Sequence, residues 1–131
     1  MNSVGPADEP IRIPKEPWLT KYLISFPSRA MVVADDEWEL VSRESHAVVQ
    51  QAKDAGVWVF GGGIDESVAP VRVAGDGTVT EGAYPENERF SGGFAVFEIP
   101  SRDAALEWAA RFAVSCRCPQ EVWEFMYDPE S

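Results

Sequence analysis

The residue with the clearest potential for chemistry is His46, the only histidine in a chain of 131 residues. It lies within a predicted long helix, on the flank of the apolar stripe and near Ser42. Because histidine changes charge near neutral pH, His46 is the candidate general acid–base, and a carboxylate must orient its ring. Asp65, at the end of a predicted strand, is the first choice for that catalytic partner and Asp54 the second. The alternatives are a surface histidine without a role and a turn aspartate that bonds to nearby backbone.

A turn-rich segment between two predicted strands carries a second group of polar residues. Arg72 lies between two valines of a short strand and points away from them. Its cation suits an anionic ligand or an ion pair with Glu81 or Glu86 of the following loop, and the ion pair is the commoner use. The loop residues line a pocket rim or contact a second subunit, and a structural use is favoured. The candidate ligand-binding residues are Arg72, Glu81, Tyr84 and Glu86.

The sequence contains no cofactor or metal motif that competes with these residues. Cys116 and Cys118 form a C-x-C pair, but with one histidine they cannot complete a four-ligand zinc site within one chain. Two reduced thiols are therefore expected. The run Gly61-Gly62-Gly63 lacks the lysine and hydroxyl residue of a phosphate-binding loop, and the acids after it repel phosphate. We predict no cofactor and no metal.

Composition narrows the class of protein. A hydrophobic content of 45% with five Trp and seven Phe is typical of a folded globular chain of one domain. A net charge of −11 and scattered basic residues argue against nucleic acid as a partner. No apolar run approaches a membrane span and no signal peptide is evident, so a cytoplasmic protein is expected. Residues 1–20 contain four prolines and predict an extended arm, with a disordered leader as the alternative, whereas 21–131 form the folded domain.

Hydrophobic periodicity, together with capping and turn residues, predicts the order of the helices and strands. Asp36 and Glu39 have the spacing of a capping box at the start of the first helix, and Gly56 ends that helix. Gly75-Asp76-Gly77 predicts a hairpin turn, and Ser101 caps the second helix. The predicted strands are 21–26, 57–60, 70–73, 77–80, 93–99 and 121–127, and the helices follow the first and fifth of them.

This order predicts an α+β fold of the ferredoxin-like split βαβ type, with two helices on one face of an antiparallel sheet. If the other face of the sheet is also apolar, another layer must cover it. The apolar side chains expected on that face are Tyr22, Trp58, Phe97 and Trp123. A second identical sheet is the simplest cover, so a homodimer is predicted.

Several segments resemble the YCII-related proteins, and in particular their DGPF branch. Asp54-Ala55-Gly56 matches the A-G helix end, and Val71-Arg72 matches a V-R strand. Gly92-Gly93-Phe94 matches G-G-F, and 105–110 matches the helix with E-W-A. The signature loop is altered: Glu81-Gly82-Ala83-Tyr84-Pro85-Glu86 stands where the branch has D-G-P-F-A-E, so Gly82 and Glu86 remain.

The resemblance implies a dimeric α+β barrel, in which two ferredoxin-like subunits pack sheet to sheet. It also implies a pocket between helix and sheet, and His46 resembles the family histidine placed there. We expect a small-molecule pocket formed by the first helix, the sheet and the loop 81–90. Cofactor-free acid–base chemistry of a lyase or isomerase type would need only the histidine and a carboxylate. The alternatives are a non-catalytic binding or regulatory module, associated with alternative sigma factor systems in this branch, and a structural dimer with a filled pocket.

Overall fold

A computed structural model describes residues 19–85 and 90–131. In this part of the chain there are a four-stranded sheet, a separate two-stranded hairpin and two α-helices. The elements are β1 (Thr20–Phe26), α1 (Trp38–Asp54), β2 (Trp58–Gly63), β3 (Val71–Val73), β4 (Val79–Glu81), β5 (Gly93–Ile99), α2 (Arg102–Cys116) and β6 (Glu121–Glu124). Short 3-10 helices, Ser28–Ala30 and Asp35–Glu37, precede α1. The arm predicted for residues 1–20 lies almost wholly outside the described residues.

The four-stranded sheet has the order β2-β5-β1-β6, and every neighbouring pair is antiparallel. This is the order expected when two βαβ units are wound together into one sheet. The α+β, ferredoxin-like prediction is confirmed. No helix within the two described ranges combines the length and the apolar character that a membrane crossing requires.

The helices cover the sheet face on which Trp58, Phe97 and Tyr22 lie side by side on adjacent strands. Phe97 is 0% exposed and Tyr22 is 3% exposed. The Phe97 ring lies 5.6 Å from the Trp108 ring and 6.1 Å from the Phe112 ring, both on α2. The expectation that Tyr22, Trp58 and Phe97 supply the opposite face was wrong. Strand alternation separates the two faces, but it does not say which of them the helices cover.

The opposite face of the sheet carries a different apolar row. Phe60 pairs with Val96, Val96 with Leu23, and Leu23 with Trp123, so one side chain from each of the four strands lies in a line. Trp123 was expected on this face and lies there. Phe60 and Trp123 are each 58% exposed. We call Leu23, Phe60, Val96 and Trp123 the open-face row.

The start of α1 differs from the prediction. The helix begins at Trp38, directly after the second 3-10 helix, and Glu37 occupies the N-cap position without a side-chain cap. The capping box of Asp36 and Glu39 was therefore wrong. The Glu37 amide instead donates to the Ala34 carbonyl at 2.9 Å, so a backbone turn precedes the helix where a side-chain cap was predicted.

The other predicted helix boundaries are confirmed. Gly56 has φ +76°, the left-handed conformation that ends a helix, and its amide donates to the Lys53 carbonyl at 3.0 Å. Ser101 precedes α2, and its Oγ accepts a hydrogen bond from the Ala104 amide at 3.1 Å. This bond satisfies one of the free amides of the first helical turn.

The hairpin β3–β4 stands apart from the four-stranded sheet. Its turn is held by the Asp76 carboxylate, which accepts from the Thr78 amide at 2.9 Å. The turn residues therefore act as predicted. The valines on one face of the hairpin, Val71, Val73 and Val79, are all more than half exposed.

Candidate functional site

A cavity of about 450 Å³ lies between α1, the helix-covered face of the sheet and the loop that follows β1. Its volume falls within the range of small-molecule sites, about 300–1,000 Å³. We call it the main cavity. Its larger apolar lining residues are Ile24, Phe26, Met31, Trp38, Val49, Trp58, Phe94 and Phe112. Trp38, the first residue of α1, is 47% exposed and borders this space.

The polar groups of the main cavity are few. They come from α1, the loop after β1, the loop after β2 and the end of α2. They are Ser28, Ser45, His46, Glu66, Cys116 and Gln120. A mostly apolar cavity with a few converging polar groups is the usual form of a site that orients a small ligand.

His46 lines the main cavity from α1, as the predicted pocket requires. It lies on the same helix as the buried residues Val48 and Ala52, which pack α1 into the hydrophobic core. The Nδ1 atom of His46 lies 3.4 Å from the Ser42 Oγ, one turn earlier in the helix. The orienting contact of the ring is therefore a hydroxyl.

The carboxylate that lines the main cavity belongs to Glu66. Its Oε1 accepts a hydrogen bond from the Ser28 Oγ at 3.2 Å, and its Oε2 accepts from the Gly92 amide at 3.4 Å. Both donors are neutral, so the negative charge has no counter-ion in these contacts. Sequence reasoning missed Glu66 because the contacts that orient it come from residues far away in the chain.

Asp65, the predicted partner of His46, lies in the turn after β2 and does not line the main cavity. Its Oδ1 accepts from the Ser67 amide at 3.0 Å and from the Ser67 hydroxyl at 2.6 Å. These bonds to the charged form lower the pKa of the Asp65 carboxyl. The contacts seen for Asp65 are those of a local turn, which was the alternative use predicted for it.

Gly92 closes the cavity wall between β1 and β5. Its φ is +74°, and a Cβ atom built there would overlap the Phe26 carbonyl oxygen and approach the Ser28 amide nitrogen within 2.8 Å. The Gly92 carbonyl accepts from the Ile64 amide at 2.7 Å, which ties this wall to the loop of Glu66. Both the conformation and the space require glycine.

Gly61 serves the packing of Trp58. A Cβ atom at Gly61 would lie 2.6 Å from the Trp58 ring and 2.8 Å from the Phe94 carbonyl oxygen. The glycine run therefore lets an aromatic wall of the main cavity lie flat against β2 and β5.

Cys116 borders the main cavity from the end of α2, and its Sγ lies 3.5 Å from the Ser45 Oγ. Cys118 is also buried, and both thiols are free. Burial, together with the neighbouring Cys116, raises the pKa of the Cys118 thiol. The expectation of two unpaired thiols is confirmed in the structure.

Three of the predicted ligand-binding residues do not line the main cavity: Arg72, Glu81 and Tyr84. The Arg72 guanidinium carbon lies 5.6 Å from the centre of the Tyr84 ring, a cation–π distance. Arg72 is opposite Thr80, whereas Glu81 is opposite Val71, so Arg72 and Glu81 point to different faces of the hairpin. Arg72 therefore contacts the loop through an aromatic ring, and an ion pair with Glu81 was the wrong prediction. Glu86 lies outside the described residues.

The comparisons with known proteins give the family. No curated protein matches the sequence. A family model described as "YCII-related domain" matches residues 21–114, which is more than half of the chain and includes β1 to most of α2. The predicted resemblance is thereby confirmed at the level of the family. The chain belongs to the YCII-related domain family.

Proposed function

We propose that this protein binds a small, mainly apolar molecule in the main cavity. The observation that carries the proposal is the cavity itself: about 450 Å³ with aromatic and aliphatic walls and six converging polar residues. A cavity of about 150 Å³ is enough to hold benzene, so this one accommodates a substituted ring. A structural subunit with a filled pocket is disfavoured, because the side chains of residues 19–85 and 90–131 leave this volume open.

The test fills the cavity from the sheet side. A Cβ atom at Gly63, a lining residue, meets only the Gly92 carbonyl oxygen at 3.6 Å, so Gly63→Leu directs a side chain into the space without backbone overlap. Gly75→Leu at the hairpin turn is the matched control, because a Cβ there meets nothing within 4 Å. Benzyl alcohol and indole serve as probes, with amide NMR shifts of the lining residues as the readout. Saturable shifts in the wild type and Gly75→Leu that vanish in Gly63→Leu are expected. Unchanged binding by Gly63→Leu contradicts the proposal.

A second candidate function is proton transfer on the bound molecule. It is favoured by the presence of an imidazole and a carboxylate, His46 and Glu66, in the lining of one cavity. The Ser42 hydroxyl occupies Nδ1 of His46, which leaves Nε2 as the nitrogen able to exchange a proton with a ligand. In this proposal Glu66, in place of Asp65, is the carboxylate that faces the bound molecule.

Deuterium uptake from heavy water by small cyclic ketones tests the acid–base candidate. Uptake above the buffer rate that is lost in His46→Gln, with an unchanged melting temperature, supports catalysis. Uptake at the buffer rate, together with intact ligand binding, contradicts catalysis and supports a non-catalytic binding module. A regulatory role, as suggested for the DGPF branch, is compatible with that result.

Self-association through the open-face row is part of the proposal. Its four apolar side chains span all strands of the sheet on the face that the helices leave uncovered. Large exposed apolar patches mark interaction sites, and an identical face is the simplest complement.

The free thiols suit a reducing compartment, which supports a cytoplasmic location.

Sedimentation of Val96→Glu tests the dimer, because Val96 lies inside the row and a buried unpaired charge opposes association. Val114→Glu on α2 is the matched control, since Val114 is 74% exposed on the helix layer. We expect a dimeric wild type and control, and a monomeric Val96→Glu. A monomeric wild type, or a dimeric Val96→Glu, contradicts this interface.

A further inference from the structure

The main cavity has one acidic side chain and one imidazole among its described lining residues. Among residues 19–85 and 90–131, Glu66 is the acidic residue that lines it, His46 is the imidazole, and no lysine or arginine lines it. Four cationic side chains of the folded domain contact other groups, away from this cavity. Arg117 pairs with Glu44 at 2.8 Å, Arg111 lies over the Trp108 ring, Arg72 over the Tyr84 ring, and Lys21 lies 3.8 Å from Glu98.

Glu66 is presented to the cavity in a defined orientation. The Ser28 hydroxyl donates to one of its oxygens and the Gly92 amide donates to the other. Each oxygen of the Glu66 carboxylate retains acceptor capacity for a ligand. An anionic ligand would meet this carboxylate without a lysine or arginine of residues 19–85 and 90–131 beside it, whereas a cationic ligand would form a charge-assisted hydrogen bond.

The walls of the main cavity favour the same sign of charge. Five of its lining residues carry Phe or Trp rings, whose π faces are negative: Phe26, Trp38, Trp58, Phe94 and Phe112. Such faces attract an ammonium group when it lies within about 6 Å of the ring centre. The net charge of −11 adds a long-range field that concentrates cations near the protein.

We infer that the ligand of the main cavity is a small organic cation, an aromatic or alkyl amine whose ammonium group binds Glu66. This inference rests on the proposed binding function and names the chemical class of its ligand. It replaces the anionic ligand considered for Arg72, whose guanidinium lies over Tyr84, away from this space.

Three probes of one shape and different charge test the inference: benzylamine, benzyl alcohol and benzoate. Their affinities are measured by NMR titration at neutral pH and equal ionic strength. We expect the amine to bind about tenfold more tightly than the alcohol, equivalent to about 1.4 kcal/mol, and benzoate to bind more weakly than both. Added salt should reduce the advantage of the amine.

Two variants test whether Glu66 is responsible for the preference for the amine. In Glu66→Gln the ratio of amine to alcohol affinity should fall to within about twofold of one. Glu107→Gln removes an equal charge from an exposed position of α2 and should keep the ratio of the wild type. Equal binding of amine and alcohol by the wild type, or an amine preference that survives in Glu66→Gln, overturns the inference while the binding function stands. Absence of saturable binding by all three probes overturns both.

Discussion

Replacement of Gly92 by alanine is the most direct test of how the cavity wall is built. Two separate effects act at this position. The left-handed backbone, with φ +74°, costs a residue with a Cβ about 1–2 kcal/mol. The new Cβ also overlaps backbone atoms of Phe26, Pro27 and Ser28, and forcing extra atoms into packed space costs typically about 1–3 kcal/mol.

Gly92→Ala should therefore lose about 2–5 kcal/mol of unfolding free energy. Gly56→Ala is the matched control, because its φ of +76° gives the same strain while a Cβ there meets nothing within 4 Å. The effect of alanine on the unfolded chain is the same in both variants and cancels. The difference between the variants, about 1–3 kcal/mol, isolates the overlap.

Urea unfolding at equal protein concentrations measures both losses. If Gly92→Ala loses no more than Gly56→Ala, within about 0.5 kcal/mol, the close approach of β1 and β5 at this point is refuted. The variant also displaces the amide that holds Glu66, so the preference for benzylamine should weaken together with the stability.

Two further predictions concern the helix cap and the buried ionisable groups. Ser101→Ala should destabilise the protein by about 1 kcal/mol and Ser101→Gly by only a few tenths, and equal losses in thermal unfolding would contradict the cap. Burial raises the pKa of Tyr22, with a smaller contribution from Glu124, and burial also raises the pKa of Cys118. Because the folded state then keeps protons that the unfolded state releases, this stabilisation is complete below about pH 8 and is lost as pH rises through the range in which cysteine and then tyrosine lose their protons in the unfolded chain. Urea midpoints from pH 8 to 10 should fall, less steeply for Cys118→Ala; midpoints that rise with pH would contradict the shifts.

Local signals in the sequence were sufficient for most of the elements. Gly56 and Ser101 act through contacts within one or two turns, so their roles could be predicted. The helix-covered face could not be assigned, because both faces of β1 and β5 carry apolar residues. Tyr22 and Leu23 are adjacent in sequence, yet one lies in the core and the other in the open-face row.

Only the part of the candidate site that depends on local sequence patterns could be predicted. His46 was placed from the helix periodicity and the family resemblance, and it lines the main cavity. The sequence does not indicate whether the side chain of Asp65 or that of Glu66 turns toward the cavity after β2. Asp65 bonds to Ser67 and stays outside the cavity lining. Glu66 bonds to Ser28 and Gly92, which are 38 and 26 residues away in the sequence, and it lines the cavity. Separations of this size leave no periodic signal in the sequence.

The independence of the β3–β4 hairpin has a consequence for hydrogen exchange and for engineering. A two-stranded ribbon is marginally stable by itself, and this one is joined to no other strand in the described part of the chain. Its amides should open without global unfolding and exchange deuterium earlier than those of β5, which pairs on both sides. The Gly75–Gly77 turn is then the place where a foreign loop, such as an epitope or a sensor peptide, can be inserted while the four-stranded sheet keeps its fold.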